Sequence, residues 1–171
     1  MSKARYLKRL ATIEQQKTAL LHRVEKLSGD TLNVRPTPDT WSILEIIEHM
    51  ILAEHHVFRG LPALEAITHH KRTPVNYVVY LMVLGILRFH IPVAVPAKDM
   101  RPSGALTLTT LRERWDQNHQ WLRAYLNSQS IQGLRRAVFT HPASGPMSTR
   151  QMFAMMEAHM DRHVDQINKR L

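Results

Sequence analysis

STRQMFAMMEAHMDRHVDQINKRL, residues 148–171, decides how the rest of the chain is read. Met152, Met155, Met156, Met160, Val164 and Ile167 recur at steps of three and four, the spacing of one face of an α-helix. Ser148 with Gln151 three residues on is a capping box, whose hydroxyl and amide satisfy N–H groups left free in the first turn. With Met152 at 0° and about 100° per residue, Met156 falls near 40°, His163 at about 20° and His159 at about 340°. Two imidazoles therefore stand one turn apart on the methionine stripe. A buried imidazole with an unmet ring nitrogen costs roughly 1–3 kcal/mol. A shared metal ion meets both, and i, i+4 is the spacing at which two helical histidines reach one ion. Two hydrogen-bonded core histidines, or a helix rotated to expose them, are the other readings of the pair.

Working outward, three more long segments carry the same periodicity. From about Lys3 to Ser28, Tyr6, Leu10, Ile13, Leu20, Leu21, Val24 and Leu27 form a stripe that includes Lys17, and Gly29 reads as its stop. Residues 29–40, with Pro36 and Pro38, read as a loop. Ser42-x-x-Glu45 is a second capping box and opens a helix through Ile43, Ile46, Ile47, Met50 and Phe58 that ends or bends near Gly60-Leu61-Pro62. Residues 62–106 are an insert: a shorter helix from about Val75 to Phe89, then a loop with Pro92, Pro96 and Pro102. A further helix runs from about Thr107 to Ser128 on Leu108, Leu111, Trp115, Leu122 and Leu126. Four amphipathic helices predict an all-α four-helix bundle, one domain over residues 1–171. The long connection between helices two and three permits a crossover, so the expected topology is up-down-down-up. No internal repeat and no strand is expected.

Composition narrows the chemistry. The 171 residues contain no cysteine, which excludes disulfides, thiolate metal sites and cysteine nucleophiles. The formal charge of +9 invites a nucleic-acid reading. The basic residues are scattered, however, so a solvated basic surface with no specific nucleic-acid partner is expected. The most apolar stretch, Tyr77 to Leu87, is well short of the roughly 20 residues of a membrane span. It reads as a docked helix, or as an interfacial or dimer-forming one. No signal peptide is apparent, and a soluble cytoplasmic protein is the expectation.

His49 is the third candidate ligand. It lies seven residues from the start of helix two, and His163 lies eight from the end of helix four. At about 1.5 Å per residue, both sit roughly 10–12 Å from the same end of the expected bundle. Several other polar residues fall on apolar stripes near that layer. Asn118 is a candidate ligand-orienting or substrate-contacting amide, and His119 beside it is expected to be partly exposed. Lys17 is either a snorkelling side chain or a countercharge for an anionic substrate. Glu54 is a candidate base or a partner for a ligand histidine. His141 is expected to fix a loop, and His56 is a weak fourth-ligand candidate. There is no nucleophile elbow, no phosphate-binding glycine loop and no H-E-x-x-H.

Pro36-x4-Trp41-Ser42-Ile43-x-Glu45-x3-His49 resembles the helix-two signature of the DinB-like (DinB/YfiT) superfamily. His141-Pro142-x2-Gly145, followed by Glu157-x-His159-x2-Arg162-His163-x2-Gln166-Ile167, resembles its C-terminal signature. The resemblance runs the length of the chain, including Pro96 and Arg101-Pro102. It implies an up-down-down-up four-helix bundle, a homodimer, and a divalent ion, zinc or nickel, on His49, His159 and His163. It also implies relatives that are thiol-dependent S-transferases or isomerases, hence a thiol cosubstrate. Three neutral ligands leave at least one coordination position open, as in catalytic rather than structural sites. The expected function is metal-assisted hydrolysis or thiol transfer on a small molecule. The alternative is a non-enzymatic metal-binding or stress-related helical protein.

Overall fold

The computed structural model describes residues 2–59, 71–95 and 97–171 and is mostly helical. Helix α1 (Lys3–Val24) buries Tyr6, Leu10, Ile13, Lys17, Leu20, Leu21 and Val24, the stripe expected from its periodicity. A short α2 (Gly29–Asn33) follows, where a loop was expected. Ser28 caps it by accepting from the Thr31 amide at 3.2 Å, so Gly29 opens a helix as well as following one. Helix α3 (Ile43–Arg59) starts from the expected box: the Glu45 amide donates to Ser42 Oγ at 3.2 Å, and the Ser42 amide to Glu45 Oε2 at 2.8 Å. The end expected at Gly60-Leu61-Pro62 lies outside the described residues, as does Pro96.

Helix α4 (Pro74–Arg88) is the expected extra helix, opened by proline in its first turn and a Thr73–Asn76 capping box. A 3-10 turn (Lys98–Met100) leads into α5 (Leu108–Ser128), and a short α6 (Ile131–Arg135) follows. Next comes an antiparallel hairpin, β1 (Ala137–His141) with β2 (Gly145–Ser148), which corrects the expectation of no strand. Its turn is held by His141 Nδ1, which accepts from the Ala143 and Ser144 amides at 3.2 Å each. Gly145 sits at φ +71°, where a side chain would be strained. Helix α7 (Thr149–Asn168) begins from the Ser148–Gln151 box.

Helices α1 and α3 each pack against both α5 and α7. Pairs between α1 and α7 rise together along the chain: Arg9 with Glu157, Gln16 with Asp161, Arg23 with Asn168. Those between α3 and α5 also rise together: Ile51 O with Asn118, Glu54 with His119, Phe58 with Trp121. Pairs between α1 and α5 run oppositely, from Lys3 with Asn127 O to Lys17 with Asp116 and Glu25 with Arg112. Trp115, Tyr6 and Phe153 are the bulkiest fully buried side chains of the core between these helices. Helix α4 packs on α7 and touches β2, while Val75, Tyr77, Val78, Leu81 and Met82 on its outer side are exposed. Among the described residues, no helix is long and apolar enough to cross a membrane.

Candidate metal centre

The capping box at Ser42 fixes where α3 starts, and so which way His49 points. Its ring is buried, and its Nδ1 donates to the Met100 carbonyl at 2.8 Å. A carbonyl only accepts, so Nδ1 carries the hydrogen and Nε2 presents a lone pair. On α7, His163 Nδ1 donates to Gln166 Oε1 at 2.8 Å, one turn further along the same helix. Its Nε2 is likewise a lone pair. The Trp41 ring lies against His49, with centroids 4.8 Å apart.

The three Nε2 atoms converge. His159 Nε2 is 3.3 Å from that of His49 and 3.1 Å from that of His163, and one ligand atom from each ring lies within 4.8 Å of the others. A hydrogen on His159 Nε2 serves only one of its two neighbours, so at least one Nε2 lone pair in the cluster is left without a donor. A cation resolves that. Nitrogen ligands at 2.0–2.1 Å from a tetrahedral ion stand about 3.3–3.4 Å from one another, close to the spacing here. Burial pushes all three imidazoles towards the neutral form that binds metal. His49 is lowered by burial, then by the charge of Arg162. His159 is held well below its ordinary value by burial and then by His163 and His49, and burial brings His163 to about 3. The donor set therefore fits a divalent ion.

A cavity of about 580 Å³ opens onto these rings. Arg162, Glu54 and His141 line it, as do seven of the nine methionines. A family model described as DinB superfamily matches residues 12–167, a span that takes in the whole cluster. The chain belongs to the DinB superfamily. Neither curated proteins nor solved structures give a match to it.

The remaining candidates of this DinB-superfamily chain separate. Glu54 reaches the cavity wall, and its Oε1 meets His119 Nε2 at 3.3 Å rather than orienting any of the three clustered rings. His119 is 2 % exposed, correcting the expectation of partial exposure; its place one turn after Trp115 puts it on the buried stripe. Asn118 is buried and donates to the Ile51 carbonyl at 3.0 Å, bracing α5 on α3. Lys17 is buried against Asp116. Neither Asn118 nor Lys17 lines the cavity. His56 bonds Asp99 at 2.7 Å and stands outside the cluster. His141 fixes its loop as expected and also lines the cavity, with burial bringing it to about 4.

Sequence reasoning assigned no role to Gln166, Arg162, Trp41 or the Met100 carbonyl. Gln166 was open to it, since it stands three residues after His163 on the same helix. The Met100 carbonyl was not, because a backbone atom of a 3-10 turn carries no mark in the residue type.

Proposed function

We propose that this DinB-superfamily chain holds one divalent ion, zinc or nickel, on His49, His159 and His163, and works as a metal-dependent enzyme on a small molecule. The reaction class is hydrolysis or thiol S-transfer, the latter with a thiol cosubstrate. One observation carries the reading: three Nε2 atoms meet in a buried layer beside a cavity, with two of the opposite ring nitrogens already committed to oxygen acceptors. Imidazole donors suit zinc and nickel. A divalent ion with an open position lowers the pKa of bound water, polarises a carbonyl or holds a thiolate.

The protein's own groups supply the rest. Gln166 and the Met100 carbonyl hold the ring tautomers of His163 and His49. Glu54, whose Oε2 is buried with no hydrogen-bond partner among the described residues, is placed to take a proton from a group bound in the cavity. The methionine wall offers the bound molecule apolar surface to bury.

The ascending α1–α7 and α3–α5 contacts, and the opposed α1–α5 ones, support an up-down-down-up four-helix bundle forming one domain over residues 1–171. The exposed apolar side of α4 supports a homodimer.

Elemental analysis of protein purified without a histidine tag tests the centre. The expected result is one ion per chain, lost in each of His49→Ala, His159→Ala and His163→Ala. Retention of one tightly held ion by all three variants overturns the assignment.

A further inference from the structure

The cavity wall is uneven in its chemistry, and the unevenness describes a ligand. At about 580 Å³ it lies within the 300–1,000 Å³ range, roughly, that encloses a drug-sized molecule. Met50, Met152, Met155, Met156 and Met160 line it from α3 and α7, and Val83 and Leu87 line it from α4. Methionine has three free rotations and a polarizable sulfur, so such a wall moulds to differing apolar shapes. Met152 precedes His159 by seven residues on α7, so the methionine wall extends roughly 10 Å along the helix from the clustered rings.

The end at the histidines is cationic. Arg162 lines the cavity there, and its Nη1 donates to the Ile86 and Ile91 carbonyls at 3.3 and 2.8 Å. Those acceptors fix the guanidinium without neutralising it, and no carboxylate among the described residues pairs with it. The acidic side chains on the wall are Glu54, turned to His119, and the exposed Asp39. An arginine held by carbonyls beside neutral imidazoles favours an anion.

We infer that the substrate is an amphiphile: an anionic, metal-ligating head at the histidines and Arg162, and an apolar body about 10 Å long against the methionines. The head group's part in this rests on the metal reading above; the body's part rests on the cavity alone.

Titration calorimetry of the zinc-loaded full chain with n-alkyl hydroxamates, from acetyl to dodecanoyl, tests it. Burying each added methylene tightens binding by about three- to four-fold until the chain outgrows the wall, after which affinity levels off. Arg162→Gln weakens every member of the series by about ten-fold while the ion content stays at one. Met156→Gln flattens the dependence on chain length without changing ion content. In His163→Ala the whole series weakens together and the increment per methylene persists. Hydroxamates that bind the zinc form with affinity independent of length overturn the inference and leave the metal reading standing. Should the wild-type chain prove metal-free, the metal reading fails, and the increment measured on that same chain decides for or against the apolar body.

Discussion

Gln166 fixes the ring of His163 from one turn away on α7, and the bond from Nδ1 to Oε1 sets which nitrogen faces the cluster. Partners of this kind typically change metal affinity by 10- to 100-fold, roughly, when removed. Gln166→Ala is therefore expected to retain a full complement of ion at saturation but to surrender it to a chelator at 10- to 100-fold lower concentration, about the loss typical of such partners. An unchanged competition curve would remove Gln166 from the centre. Lys17 has a different job at the same scale. Its ammonium is buried while its partner Asp116 is half exposed. Removing one member of such a pair strands the other, whereas replacing the buried member with an apolar side chain of similar length does not. Asp116→Ala is expected to destabilise by about 1–3 kcal/mol, and Lys17→Met by distinctly less. Urea unfolding of both variants checks the order, and a larger loss for Lys17→Met contradicts it.

Among the elements, α3 depends on how it begins. Ser42 and Glu45 satisfy each other's amides in a buried first turn, seven residues before His49. Loss of a capping hydroxyl costs about 1 kcal/mol, which in a chain of this size lowers Tm by roughly 2–4 °C. Ser42→Ala is expected to melt that much earlier with its ion content intact; a change in ion content would mean the cap also positions His49. The boxes at Ser42 and Ser148 were legible in the sequence because both partners lie within three residues. The short α2 was not, since Gly29 usually marks an end and only the hydroxyl of Ser28 makes it a beginning. The β1–β2 hairpin was hidden for another reason. Its strands are four and five residues long, and Pro142 and Pro146 break any alternation that would betray them. The pairing is held by cross-strand backbone bonds and by the amides folded onto His141, neither visible as a period. His119 stands one turn from Trp115, so its azimuth rather than its polarity decides its burial. The convergence of His49 with His159 and His163 was legible as a match of depth, whereas the acceptor behind His49 came from a turn about fifty residues away.

At the scale of the whole molecule, the histidine cluster ties α3 to α7, so its protonation and its ion are both coupled to folding. Burial brings His163 to about 3 and His141 to about 4, and also lowers His49 and His159. Unfolded, each returns to an ordinary value near 6.5. Between those limits the unfolded chain binds protons that the folded chain refuses. Stability therefore rises with pH across the window and is lost as pH falls from about 6.5 towards 4. Metal adds to this stability, and protons compete with it for the same Nε2 atoms only where the folded rings titrate, His163 at about 3. An ion present at 100 times its Kd stabilises by about 2.7 kcal/mol, or roughly 5–11 °C in Tm for a chain of this length. Melts at pH 7, 6 and 5, with zinc and with chelator, separate the two contributions. The chelated protein is expected to melt progressively earlier as pH drops. The zinc increment is expected to change little from pH 7 to pH 5, because rings held this low in the folded chain are still neutral and free to bind at pH 5. Most carboxylates remain ionised over that interval, so the slope belongs chiefly to the histidines. A chelated protein whose Tm is flat from pH 7 to 5 would mean that the cluster opens to solvent before it titrates. A zinc increment that vanishes by pH 5 would mean that the folded rings titrate near their ordinary value and are not held neutral by burial.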